Sequence, residues 1–178
     1  MQTVYQACAD NALNAEILLL ISNQKNSGAV RLAKSMGIPL HMIEIDLIEN
    51  QITAEEDLLQ KLLSCNIDWI LLLGYTRKIS TKVLAKFKGR IINTHPSLLP
   101  KFGGKGFFGR KVHQAVLDSG DLVTGATVHL VNEEYDSGKI LGQIEVPVKP
   151  EDSIESLETR VKQAEKKYLI KILKALWQ

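Results

Sequence analysis

Residues 90–100 read RIINTHPSLLP, an apolar β-branched start that turns polar within a few positions. Arg90-Ile91-Ile92 opens a short buried strand. Asn93 and His95 stand two residues apart, so in an extended chain both side chains leave one face. Pro96 biases His95 toward extended backbone and keeps a helix from starting there. A carboxamide and an imidazole at the C-terminal end of a sheet strand lie where open α/β sheets bind ligands. The same residues also fit a strand ending in a polar turn with a structural histidine. Spacing alone leaves both open.

Working outward, residues 68–74 (DWILLLG) are apolar on both faces, as a parallel strand is. Residues 16–22 (EILLLIS) and 40–45 read as two further strands, the first closed by turn signals at Asn23 and Asn26. Helices are predicted over residues 1–13, from Ser27-Gly28 to Met36 with Gly37 as the stop, and over 80–88. Another begins at Thr53, with Glu56 three residues on in a capping-box pattern, and runs to about residue 65. Downstream lie a helix over 110–118, an antiparallel strand pair over 123–131 and 139–148, and a long terminal helix over 153–176. Strands alternating with helices predict an α/β layered fold with a largely parallel sheet.

The 178 residues suggest one domain, 1–178, with 45% hydrophobic and 24% charged positions, as soluble globular chains have. A net charge of +2 argues for neither nucleic acid nor an anionic membrane as partner. Cys8 and Cys65 lack metal-ligand spacing and read as thiols in a reducing compartment. No apolar run reaches membrane-spanning length and the N-terminus has no signal-peptide pattern, which points to the cytoplasm.

Several motifs read two ways. Residues 104–109 (GKGFFG) match G-x-G-x-x-G formally, but Pro96 and Pro100 separate them from the strand, so they read as a mobile loop beside the site. Asp136, in Y-D-S-G between strands, is by itself an ordinary turn former. His129 reads as structural or supporting, and His41 and His113 as packing or surface residues. Residues 74–79 (GYTRKI) follow a buried strand and are either a helix-entry loop or a ligand-facing edge. Arg160, Lys162 and Glu165 would ordinarily form a solvated helix face.

Residues 92–106 (INTHPSLLPKFGGKG) and 113–148 (HQAVLDSGDLVTGATVHLVNEEYDSGKILGQIEVPV) together closely resemble the folate-dependent formyltransferases. Among these the chain is most similar to the small purine-biosynthetic members. The resemblance implies a Rossmann-like three-layer fold with an antiparallel C-terminal strand pair and a long terminal helix. It implies Asn93, His95 and Asp136 as catalytic residues, with 10-formyltetrahydrofolate as co-substrate and no metal. The acceptor it implies is the primary amine of glycinamide ribonucleotide. Main-chain groups near Arg77 and Ile79 would meet one side of the folate pterin, with Val131, Asn132, Glu133, Glu134 and Tyr135 as the opposite wall. Lys101 would face the folate tail, and Pro96 and Glu165 the acceptor, Glu165 at its ribose.

The implied chemistry is acyl transfer: Asn93 donates to an oxyanion, His95 acts as a cation, and Asp136 orients His95 and raises its pKa. The implied partners are small molecules, with neither nucleic acid nor membrane, and the protein a monomer or homodimer. In the resembling family a first strand and a G-x-G-S-N-type loop hold the substrate phosphate. This chain starts inside what would be the first helix, so a fragment, a shifted start or a diverged member with an altered substrate is expected. The alternatives are formylation of another amine such as a nucleotide amino sugar, hydrolysis of the formylfolate, and an inactive folate-binding remnant. Pro96 stands where deformylases carry a second histidine, against the hydrolase. The chain has no added basic domain to hold tRNA, which weighs against methionyl-tRNA formylation.

Overall fold

The apolar run at residues 90–92 forms strand β4 (Ile91–His95), the second strand of a four-stranded sheet. The computed structural model describes residues 1–43 and 51–177, with the backbone alone for 51–54. It divides into two compact units, Trp69–Leu176 and Met1–Asp68 with the chain's last residues.

In the larger unit the sheet order is β3 (Ile70–Leu72), β4, β5 (Val123–Leu130) and β6 (Ile140–Pro147). β3 and β4 are parallel, while β5 is antiparallel to both β4 and β6, so only β5 runs against the others. The predicted C-terminal strand pair is therefore present, and it extends the parallel pair. Helix α4 (Thr81–Lys86) starts where the Ser80 hydroxyl accepts the Val83 N–H at 3.3 Å. Helix α5 (Arg110–Ser119) ends at Gly120 in the left-handed region, φ 70°. The terminal helix α6 (Ile154–Leu176) buries Leu157, Val161, Leu169 and Leu173, a single stripe at helical spacing. Val116 of α5, Ala126 of β5 and Val146 of β6 close on Leu157 and Val161. Burying each of the larger aliphatic side chains contributes roughly 1.5–3 kcal/mol. Ahead of α6, Asp152 accepts from Arg160, whose guanidinium also donates to the Pro147 carbonyl at 3.0 Å. These contacts pin the start of α6 to the end of β6.

The smaller unit pairs β1 (Leu20–Ser22) with β2 (Leu40–Met42) in parallel. It also holds helices α1 (Gln2–Ala9), α2 (Gly28–Ser35) and α3 (Gln51–Ser64). Ser27 caps α2 by accepting the Val30 N–H at 3.2 Å. The first helix stops at Ala9, short of residue 13, because Asp10 and left-handed Asn11 (φ 55°) turn the chain. The Thr53 side chain and residues 44–45 of the predicted second strand lie outside the described residues.

The predicted strands over 16–22 and 68–74 contract to the three-residue β1 and β3. Both are half-buried throughout, where residues 16–22 and 68–74 are expected to be buried strands. Among the described residues each is paired along one edge, β1 with β2 and β3 with β4. Hydrophobicity marks a strand's faces; its paired length depends on its neighbours.

Candidate active site

Alternation along β4 puts Asn93 and His95 on one face and Thr94 on the other. Directly across the ladder from Asn93 is His129 of β5. The His129 Nδ1 lies 2.9 Å from the Leu130 carbonyl, an acceptor, so Nδ1 carries the proton. In the neutral ring Nε2 then offers a lone pair, and it accepts from the Asn93 Nδ2 at 3.2 Å. One N–H of the carboxamide is thus held by His129, and the second is left to donate elsewhere.

His95 is only 4% exposed. Its Nε2–H donates to the Phe102 carbonyl at 2.8 Å, and its Nδ1 faces Asp136 Oδ2 at 3.4 Å. Burial lowers the His95 pKa below its ordinary value, outweighing the upward pull of Asp136 and the Phe102 carbonyl. The resting imidazole is therefore held toward its neutral form, while Asp136 pulls it toward the cation as the family pattern implied. Low dielectric disfavours that charge more than one carboxylate at 3.4 Å restores it.

Asp136 reaches the cluster because the connection after β5 doubles back over this face. The Val131 N–H still donates to the Ile91 carbonyl at 2.9 Å, and the chain then returns. Asp136 sits in the left-handed region at φ 54°, which a short polar side chain tolerates. Its Oδ2 accepts the Gly104 N–H at 2.9 Å, and its Oδ1 lies 3.6 Å from His129 Nε2. Desolvation pushes the carboxyl pKa up, but the pull of His129, the Gly104 N–H it accepts and the positive charge that either imidazole takes on when protonated bring it below the usual value. Gly138 closes the return: a Cβ there would lie 1.8 Å from the Leu130 carbonyl oxygen.

Below the site, Thr127 buttresses the turn after His95. Its hydroxyl donates to the Ser97 carbonyl at 2.7 Å and accepts from Leu99 N–H and Gln143 Nε2, each at 3.0 Å. The Gly-rich segment expected as a mobile loop is tied at its start, by the Phe102 carbonyl to His95 and by the Gly104 amide to Asp136. Beyond that, Phe107 and Phe108 are exposed. Among the described residues no group of three or more His, Cys, Asp and Glu side chains is arranged to hold a metal ion.

The formyl transferase family model matches residues 1–173. The chain belongs to the formyl transferase family. It is 39% identical over 174 residues to the chloroplastic phosphoribosylglycinamide formyltransferase of Arabidopsis thaliana, covering 97% of this chain and 60% of that protein. It is 36% identical over 165 residues to the Haemophilus influenzae phosphoribosylglycinamide formyltransferase, covering 93% and 76% of the two chains. The chain spans 60% and 56% of the length of its Arabidopsis and Vigna unguiculata relatives. The crystal structure of phosphoribosylglycinamide formyltransferase from Bacillus halodurans superposes with a TM-score of 0.91 at 30% identity, over 98% of this chain and 88% of that one.

The predicted residues fall in several places. Asn93, His95 and Asp136 converge, with Pro96 next in the chain and half-buried. The segment carrying exposed Arg77 and buried Ile79 leaves the sheet just past Leu72, which pairs with Asn93. Val131 to Asp136 form the returning connection, where Asn132 Oδ1 accepts from Glu134 N–H and Ser137 Oγ while Glu133, Glu134 and Tyr135 stay exposed. Glu165 lies away from the cluster, on the Thr94 side of β4. Lys101, expected toward a folate tail, is paired with Asp121 at 2.8 Å. His113 is buried on α5, with its pKa lowered by that burial. Sequence reasoning gave His129 no role on Asn93. The available sign was its place seven residues ahead of Asp136, but the cross-strand register that makes the contact is not local information.

Proposed function

We propose that this chain transfers the formyl group of 10-formyltetrahydrofolate to the primary amine of glycinamide ribonucleotide, with Asn93, His95 and Asp136 carrying the reaction. The convergence of these side chains around buried His95 supports the reading most directly. The acceptor amine attacks the formyl carbon, forming a C–N bond and placing negative charge on the formyl oxygen. The free N–H of Asn93 donates to that oxyanion. A preorganised donor of this kind lowers the barrier by about 3 kcal/mol. The amine loses a proton to His95 Nδ1, directly or through a water, since Nε2 is committed to the Phe102 carbonyl. The imidazolium so formed lies beside the Asp136 carboxylate and adds positive charge near the oxyanion. As the bond from carbon to the folate N10 breaks, that proton passes to N10, leaving tetrahydrofolate and the formamide.

The folate would lie between the 74–79 segment, with Arg77 and Ile79, and the 131–135 connection, with the acceptor sugar at Glu165. A small-molecule acceptor and a cytoplasmic place of work belong to the same proposal. Among the described residues no helix is long and apolar enough to cross a membrane. The test is turnover of the 178-residue chain with 10-formyltetrahydrofolate, with and without glycinamide ribonucleotide. Amine-dependent formation of tetrahydrofolate is expected. Turnover that ignores the amine would make the chain a hydrolase and overturn the assignment.

A further inference from the structure

Thr94, between Asn93 and His95 but facing the other side of β4, donates its hydroxyl proton to Glu165 Oε1 at 2.9 Å. We propose that Thr94 is a positioning residue for the acceptor's sugar, acting through Glu165; this rests on the reading of Glu165 as the sugar-binding carboxylate. The contact joins β4 to α6 across 71 residues of sequence. Glu165 is half-buried on α6. The lysine one turn ahead of it is otherwise engaged: Lys162 Nζ is 2.5 Å from Glu158 Oε1. Desolvation raises the Glu165 pKa, and the Thr94 hydrogen bond, followed by the charges of Lys162 and Lys166, works to keep the carboxyl ionised.

A carboxylate has about four acceptor positions. Thr94 occupies one on Oε1 and holds the plane of the group, leaving Oε2 and the other Oε1 position to accept from a vicinal diol. The hydroxyl is also one residue from each of Asn93 and His95, so the sugar subsite and the reacting groups hang from the same strand. Loss of the hydroxyl would free the carboxylate to rotate. The acceptor would then bind more weakly, while the groups that act on the formyl carbon keep their places.

The experiment is steady-state kinetics with glycinamide ribonucleotide and 10-formyltetrahydrofolate for Thr94→Val, Thr94→Ser, Glu165→Gln and Thr94→Val with Glu165→Gln, each checked by a thermal melt. Thr94→Val is expected to raise the KM for the ribonucleotide about tenfold. Its kcat and its KM for the formyl donor should stay within about twofold. Thr94→Ser, which retains the hydroxyl, should restore the acceptor KM. The double variant should be no worse than Glu165→Gln alone, because both changes act through one carboxylate. An unchanged acceptor KM in Glu165→Gln would remove the reading of Glu165 and the proposal with it. A raised KM in Glu165→Gln with no effect of Thr94→Val, or with no rescue by Thr94→Ser, would overturn the role of Thr94 and leave Glu165 standing. A fall in kcat and melting temperature with an unchanged acceptor KM would make Thr94 merely structural and likewise overturn it.

Discussion

Replacing Asp136 by Asn tests the proposed mechanism most sharply, because it removes a charge and little else. The new side chain is nearly isosteric, and its Oδ1 can still accept the Gly104 N–H that Asp136 accepts at 2.9 Å, so the returning connection should hold. What disappears is a negative charge 3.4 Å from His95 Nδ1. At an effective dielectric of about 20, unit charges at that separation attract by about 5 kcal/mol. His95 is held toward its neutral form before reaction and becomes charged only on taking the amine proton, so most of that attraction belongs to the transition state. Allowing for relaxation, about 4 kcal/mol of the barrier is at stake, roughly a thousandfold in kcat. The pH profile carries the sign. Transfer needs a neutral His95, whose pKa is lowered from 6.5, so kcat should rise with pH along a limb lying below that value. Removing the carboxylate disfavours the imidazolium further, so in Asp136→Asn the limb should move to still lower pH. The assay is initial rate at saturation in both substrates from about pH 5 to 9. A loss in kcat of less than about tenfold, or a limb displaced to higher pH, would refute the proposed coupling between Asp136 and His95.

Other changes probe the rest of the site and its support. His129→Leu leaves an Asn93 N–H unpaired and the carboxamide free to turn, so kcat should fall roughly ten- to a hundredfold with a folded protein by circular dichroism. Unchanged turnover would mean that Asn93 needs no such holder. Gly138→Ala drives a methyl group into the Leu130 carbonyl, so a urea titration should show a loss of about 2–4 kcal/mol, together with reduced turnover as Asp136 is displaced. Asp152→Asn weakens the tie between α6 and the end of β6 and should cost about 1–2 kcal/mol at neutral pH. The Asp152 carboxyl lies far below its ordinary 3.8 because Arg160 donates to it. Its contribution is therefore present above the unfolded value and lost as pH falls toward the folded one, and melts of the two proteins should converge in strong acid.

The alternation of elements was legible in the chain because it rests on local periodicity. Ser27 and Ser80 cap their helices through neighbours three residues away, and Gly37 and Gly120 take up the left-handed turns. The half-buried, three-residue β1 and β3 were not legible, because the same leucines and isoleucines suit a strand with one partner or two. Within the site, Asn93 and His95 could be paired from their spacing, but Asp136 came only from likeness to a known family. A carboxylate in a turn says nothing about where that turn returns.

By itself the sequence determined that β4 changes from apolar to polar, that Asn93 and His95 share a face, and that Thr94 looks the other way, since all three follow from the two-residue period of a strand. Only the tertiary structure decided that His129 stands across from Asn93, that Asp136 comes back over His95, that Thr94 reaches Glu165, and that His95 rests toward neutrality. Those outcomes depend on interstrand register, on loop closure across dozens of residues and on exclusion of water. None of these is a property of neighbouring residues in the chain.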